Sequence, residues 1–249
     1  MRYFLRLAYN GSPFHGWQRQ PNAVSVQQTL EDALSIMLRH EVEIVGAGRT
    51  DTGVHASEMF AHLDIDPVKD KTKFITSLNR LIGKDIAIYD LHDVIPTAHA
   101  RFDAVKRTYE YIIHLEKNPF SYGFSHFMNR LPDIGLMNEA ARMLLTTEDF
   151  TSFAKLHSNA KTNVCKVVYA GWDLDEANKR LTFTISADRF LRNMVRSVVG
   201  TLLDVGLGKL TLSNLEEIIE AKDRCAASVS MPAQGLFLKK IEYPKEIFL

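Results

Sequence analysis

The chain opens on RYFLRLAY (residues 2–9), an alternating, aromatic-rich stretch that reads as a β-strand. It continues into SVQQTLEDALSIMLR (25–39), where Val26, Leu30, Ala33, Leu34, Met37 and Leu38 recur at helical spacing. Ser25 and Gln28 stand at the separation of a capping box, so the helix starts there. Working outward, short strands are predicted at 41–46 and at 58–65, where Met59, Ala61, Leu63 and Ile65 alternate. A helix at 71–82 and a strand at 85–94 complete a βαββαβ unit.

The order then repeats with longer elements. RTYEYIIHL (107–115) sets Tyr109, Tyr111, Ile113 and Leu115 on one face of a strand. A helix is predicted at about 136–147, strands at 164–174 and 180–187, a long apolar helix at 189–206, an acidic helix at 211–222 and a last strand at 236–243. The fold class is therefore α+β: two βαββαβ halves, residues 1–100 and 101–249, each an antiparallel sheet covered by helices on one face. The other faces are expected to line a central cleft.

With 46% apolar and 24% charged residues, the composition is that of an ordinary globular protein rather than a disordered one. No window reaches the roughly 20 apolar residues of a membrane span. MRYFLRLAYNGS lacks the pattern of a signal peptide, which favours the cytoplasm. Cys165 and Cys225 have no Cys-x-x-Cys partner; one disulfide is open to them, but two reduced, buried thiols are favoured. The histidines show no helical pair beside a carboxylate, so no metal site is expected. Net charge is zero, yet Lys179–Arg196 holds five basic residues (Lys179, Arg180, Arg189, Arg192, Arg196) against Asp188 alone. A polyanion needs only such a local patch.

Three clusters carry possible chemistry. GAGRTDTGVHA (46–56) packs Gly46, Gly48 and Gly53 around Arg49, Thr50 and Asp51, in the turn between two predicted strands. Turn aspartates commonly bond their own backbone, and catalysis is the competing reading of Asp51. With no adjacent His or Ser, a catalytic carboxylate here acts alone. ARFDAVKRTYEY (100–111) interleaves basic residues with Tyr109, which fits either a core tyrosine or a base-stacking platform worth about 1–3 kcal/mol per base. In RFLRNMVRSVVG (189–200), Arg189, Arg192 and Arg196 are spaced to share one helix face. Arg196 enters where that helix turns apolar, a costly placement unless a carboxylate or phosphate meets it. YNGSPFHGWQRQ (9–20), ending near Arg19, and MPAQGLFL (231–238) name no chemistry by themselves.

Together these clusters resemble the tRNA pseudouridine synthases that act on the anticodon arm, the TruA type. The matching stretches are Tyr9–Gln20, Gly48–Ala56, His99–Tyr111, Phe190–Gly200 and Pro232–Leu238, in family order along nearly the whole chain. The resemblance implies that Asp51 is the catalytic aspartate, that Arg49 holds the flipped nucleotide and that Tyr109 stacks on the target base. Arg196 would pair with Asp51 from the other half. It further implies a homodimer, no metal, no cofactor, and uridines at about positions 38–40 of tRNA as targets. Arg19, Arg189 and Arg192 would hold phosphates. Thr52 replaces the family's usual alanine, and Asn10-Gly11-Ser12 its more usual Asp-Gly-Thr. The alternatives are a non-catalytic RNA-binding module, since such sheets also present aromatics to single strands, a synthase with a different RNA target, and a small-molecule enzyme using the same sheet.

Overall fold

β1 (Arg2–Tyr9) forms the strand its alternation predicts and lies antiparallel between β3 (His55–Asp64) and β4 (Ile86–Asp93). The computed structural model describes residues 1–156 and 161–249. Helix α1 (Val26–Leu38) starts at Ser25, whose hydroxyl accepts the Gln28 N–H, and α2 (Lys71–Leu81) starts at Asp70 in the same way. Leu30 and Leu34 of α1, Leu78 of α2, and Tyr3, Leu5 and Leu7 of β1 are buried. Burying a Leu-sized side chain stabilises by about 1.5–3 kcal/mol. The strand predicted at 41–46 shrinks to β2 (Val45–Gly46), because the Val42 and Ile44 N–H groups go to the Ser35 hydroxyl and the Glu31 carboxylate instead of a neighbouring strand.

Two compact units divide the chain: Met1–Val105 with Leu238–Leu249, and Lys106–Phe237. The sequence placed the boundary at residue 100 and left the last strand wholly in the second half. In the structure β9 (Leu236–Glu242) begins in the second unit and runs into the first. The reason lies in its partners. Within the first unit Glu58 accepts the Ile241 N–H, Glu242 accepts the Val105 N–H, and Tyr243 donates its hydroxyl to the Ala100 carbonyl. Tyr243 and Phe248 also meet Phe4 edge-on, at 5.2 and 6.1 Å between ring centres, so β1 is buried on both sides there.

His62 of β3 sits in this layer. Its Nδ1 accepts the Ala100 N–H, and burial, aided by neighbouring His99 and Arg2, pushes its pKa down to about 4. The unfolded chain therefore takes up a proton at His62 before the folded one does. Stability tied to this residue is full above about pH 6.5 and falls as pH drops towards 4, by on the order of 2 kcal/mol. His62→Gln should flatten the fall in unfolding free energy over that range; an unchanged slope would assign the acid sensitivity elsewhere.

In the second unit β5 (Lys106–His114) pairs antiparallel with β8 (Arg180–Ala187), and β8 with β7 (Val167–Asp175), while short β6 (His126–Phe127) runs parallel to β5. Helices α3 (Ile134–Met143), α4 (Met194–Gly206) and α5 (Leu212–Ala221) supply the helical layer, α3 packing on β7 and α4. Tyr111 and Ile113 are buried as the alternation requires, together with Phe183, Ile185, Val198 and Leu202. The α+β class and the mostly antiparallel pairing are borne out. Both cysteines are free thiols; Cys165 is buried, which pushes its pKa up to about 12, whereas Cys225 is exposed, against the expectation of two buried thiols.

Candidate active site

Asp51 lies between β2 and β3, in a loop whose shape is set by the aromatic loop at residues 9–20. Trp17 donates its N–H to the Thr50 carbonyl (3.3 Å), and Gly53 donates to the Phe14 carbonyl (3.3 Å). The Tyr9 and Thr50 hydroxyls are hydrogen-bonded at 2.9 Å in the interior. Gly11 donates its N–H to Nδ1 of buried His55, so that nitrogen carries no proton and serves the scaffold.

Three glycines make the fit possible. A Cβ on Gly11 would lie 2.0 Å from the Val54 carbonyl oxygen, and one on Gly16 would lie 2.3 Å from that of Thr50. A Cβ on Gly46 would strike the Trp17 ring at 2.4 Å. Gly16 also has φ +89°, a conformation that side chains resist. The loop is thus bracketed backbone to backbone, with Thr50 buried, Asp51 half-buried and Arg49 exposed. Asn10 holds its own turn by accepting the Ser12 N–H and donating to Asp85, and Thr52 is exposed. Neither departure from the family pattern disturbs the loop. The role of residues 9–20 escaped the sequence reading because it depends on contacts some 40 residues away. The signal was Gly11 and Gly16 set among aromatics.

Arg19 shares this unit, but its guanidinium faces the buried Glu31 carboxylate at 3.3 Å.

In the second unit, half-buried Tyr109 stands opposite Ile185 in the β5–β8 ladder, and Phe190 meets its ring edge-on at 5.0 Å. The helix predicted at 189–206 begins only at Met194, so Arg189 and Arg192 do not share a helix face with Arg196. Asp188 accepts the Lys166 and Arg189 N–H groups, Lys155 donates to the Arg192 carbonyl, and Asn193 turns left-handed at φ +66° before the helix starts. Asparagine tolerates that conformation, and nothing in the local composition announces it. Arg192 is exposed, and Arg189 and Arg196 are half-buried. Within this unit Arg196 is met by a backbone group rather than a carboxylate: its Nε donates to the Met231 carbonyl. Arg180 of the basic stretch lies 3.6 Å from Asp175, which offsets part of the local charge. Among the described residues no group of three or more His, Cys, Asp or Glu side chains is placed to hold a metal ion.

Asp51 and Arg49 thus come together in one glycine-fitted loop with Arg19 in the same unit, while Tyr109, Arg189, Arg192 and Arg196 belong to the other. Such a protein is a two-unit α+β chain presenting a carboxylate on a rigid loop and a ring-buttressed tyrosine on a strand.

A family model described as tRNA pseudouridine synthase matches residues 140–244. A tRNA pseudouridine synthase A from Parabacteroides distasonis is 51% identical over 248 residues, covering 99% of this chain and 98% of the relative. One from Bacteroides thetaiotaomicron is also 51% identical over 248 residues, covering 99% of this chain and 92% of its own length. A third, from Porphyromonas gingivalis, is 49% identical over 250 residues, covering 100% and 99%. The chain belongs to the tRNA pseudouridine synthase family. Pseudouridine synthases are isomerases, and the chain is an enzyme of that class.

Proposed function

We propose that this enzyme converts uridine to pseudouridine in the anticodon arm of tRNA, at about positions 38, 39 and 40, with Asp51 as the catalytic carboxylate. The observation that carries the reading is the Asp51 loop, held by backbone contacts from Gly11, Gly16 and Trp17 in a chain of this family. In the reaction the C1′–N1 bond breaks, the uracil turns, and a C1′–C5 bond forms. The C5 proton is lost to solvent and N1 is left protonated, so substrate and product are isomers. No redox partner, group donor or metal enters that balance, which suits a carboxylate working without a cofactor. Attack at C6 of the base and attack at C1′ of the ribose both use Asp51 in its ionised form.

A stem uridine must first leave the stack, at a cost of a few kcal/mol. Tyr109, steadied by Phe190, offers the ring that offsets this cost, and Arg49 holds the flipped nucleotide. By the family resemblance Arg196 supplies the cation the reaction uses, and Arg19, Arg189 and Arg192 hold phosphates. A homodimer and a cytoplasmic location accompany the reading through the family resemblance.

The test is release of tritium from uracil C5 on incubation with tRNA. The enzyme should release label stoichiometrically with pseudouridine; no release above background would favour a non-catalytic RNA-binding module. Arg196→Met should lower kcat by roughly a hundredfold or more while changing tRNA affinity little, as expected for a group acting mainly in the transition state. Equal losses in both would count against that role.

A further inference from the structure

We infer that the segment from Arg224 to Pro232 is a clamp that positions the Arg196 guanidinium, with the Ser230 hydroxyl as its fastening point. The inference rests on the reading of Arg196 given above. The segment lies along α4 through successive contacts. Ser228 donates its N–H to the Thr201 hydroxyl at 3.2 Å. The approach at Val229 is so close that a Cβ on Gly200 would fall 2.1 Å from the Val229 carbonyl oxygen. Met231 then closes a two-way bond with Arg196: its N–H donates to the Arg196 carbonyl at 3.1 Å, and its own carbonyl accepts from Arg196 Nε. One residue on, the Pro232 carbonyl accepts the Tyr111 hydroxyl at 2.8 Å, which ties the clamp to β5.

Ser230 is where the segment is fastened. Its Oγ accepts from Asn193 Nδ2 at 2.6 Å and from Arg224 Nη2 at 2.9 Å. Asn193 is the left-handed residue that starts α4, and Arg224 also donates to the Ala227 carbonyl at 3.2 Å. One hydroxyl therefore joins the start of α4, the start of the clamp and the residue just before Met231.

This arrangement has a chemical consequence. An arginine side chain is long and its guanidinium ordinarily samples many rotamers. Here Nε is committed to Met231, and it makes the only side-chain hydrogen bond of Arg196 among the described residues. The plane of the guanidinium is fixed while Nη1 and Nη2 are kept for a two-pronged contact with a carboxylate or phosphate. Holding that plane in advance matters because a misplacement of about 1 Å can cost on the order of a hundredfold in rate. Ser230 is in this sense a positioning residue; it does not touch substrate.

The experiment compares Ser230→Ala, Ser230→Thr and Arg196→Met by steady-state tritium release from tRNA and by thermal unfolding. Ser230→Ala should lower kcat by roughly tenfold or more, with KM within about twofold and the unfolding midpoint close to that of the parent. Ser230→Thr, which keeps the hydroxyl, should recover most of the loss. Parental kcat in Ser230→Ala beside an impaired Arg196→Met would overturn the clamp and leave the role of Arg196 standing. Equal loss in the Ala and Thr variants, or a loss matched by a lowered unfolding midpoint, would mark Ser230 as structural only and overturn it too. Parental kcat in Arg196→Met would remove the reading of Arg196 itself, and the clamp's purpose with it.

Discussion

Asp51→Asn is expected to lower turnover by roughly ten-thousandfold or more, the scale seen when the central group of a catalytic unit is removed. The change replaces a carboxylate by a nearly isosteric amide that can neither attack nor carry the negative charge. The bonds from the aromatic loop run through backbone atoms of Thr50 and Gly53 and through the Thr50 hydroxyl, none of which the substitution alters. Affinity for tRNA and the unfolding midpoint should therefore stay near parental values. Single-turnover tritium release, filter binding and thermal unfolding read the three quantities separately. Weakened binding in step with lost turnover would point to a role for Asp51 in holding RNA rather than in chemistry.

Gly16→Ala should have a large effect for a change outside the reacting groups. The added methyl would lie 2.3 Å from the Thr50 carbonyl oxygen at a position whose φ is +89°. Neither a side-chain rotation nor a different rotamer relieves a clash with backbone, so the two loops must separate. A cost of about 2–4 kcal/mol follows from strain and overpacking combined. Turnover should fall by roughly a hundredfold, because Asp51 is the residue after Thr50 and moves with it. Gly48→Ala is the control for stability: it lies in the same loop, and a Cβ there meets nothing within 4 Å. Its unfolding free energy should change by less than about 1 kcal/mol. Equal destabilisation by the two substitutions would show that the bracket around Thr50 does not set the loop.

These effects also mark where the sequence is readable and where it is not. Local patterns were legible: the alternation of RYFLRLAY gave β1, Ser25 gave the start of α1, and RTYEYIIHL gave β5 with Tyr111 and Ile113 inward. The catalytic-loop candidate was legible as a glycine cluster around Arg49, Thr50 and Asp51. What failed was set by single conformations or by distant partners. Asn193 turns left-handed and ends the apparent helix of Arg189 and Arg192, although the surrounding residues favour helix throughout. Val42 and Ile44 look like a strand, yet their N–H groups are taken by α1 side chains. Residues 9–20 named no chemistry by themselves, and Gly11 and Gly16 there are sites of close backbone approach. For Arg196 the sequence pointed to an anion, and it could not show that the Met231 carbonyl, 35 residues away, also takes its Nε. Each case needs the fold before the partner is visible.

Mapping pseudouridine in cellular RNA decides whether Asp51 performs uridine isomerisation in the anticodon arm. Cells lacking this protein should carry unmodified uridine at tRNA positions 38–40, with other pseudouridines intact. The parental gene should restore modification at those positions, and the Asp51→Asn gene, expressed to the same level, should not. Restoration by the Asp51→Asn gene, or a loss of pseudouridine confined to other sites, would contradict the account.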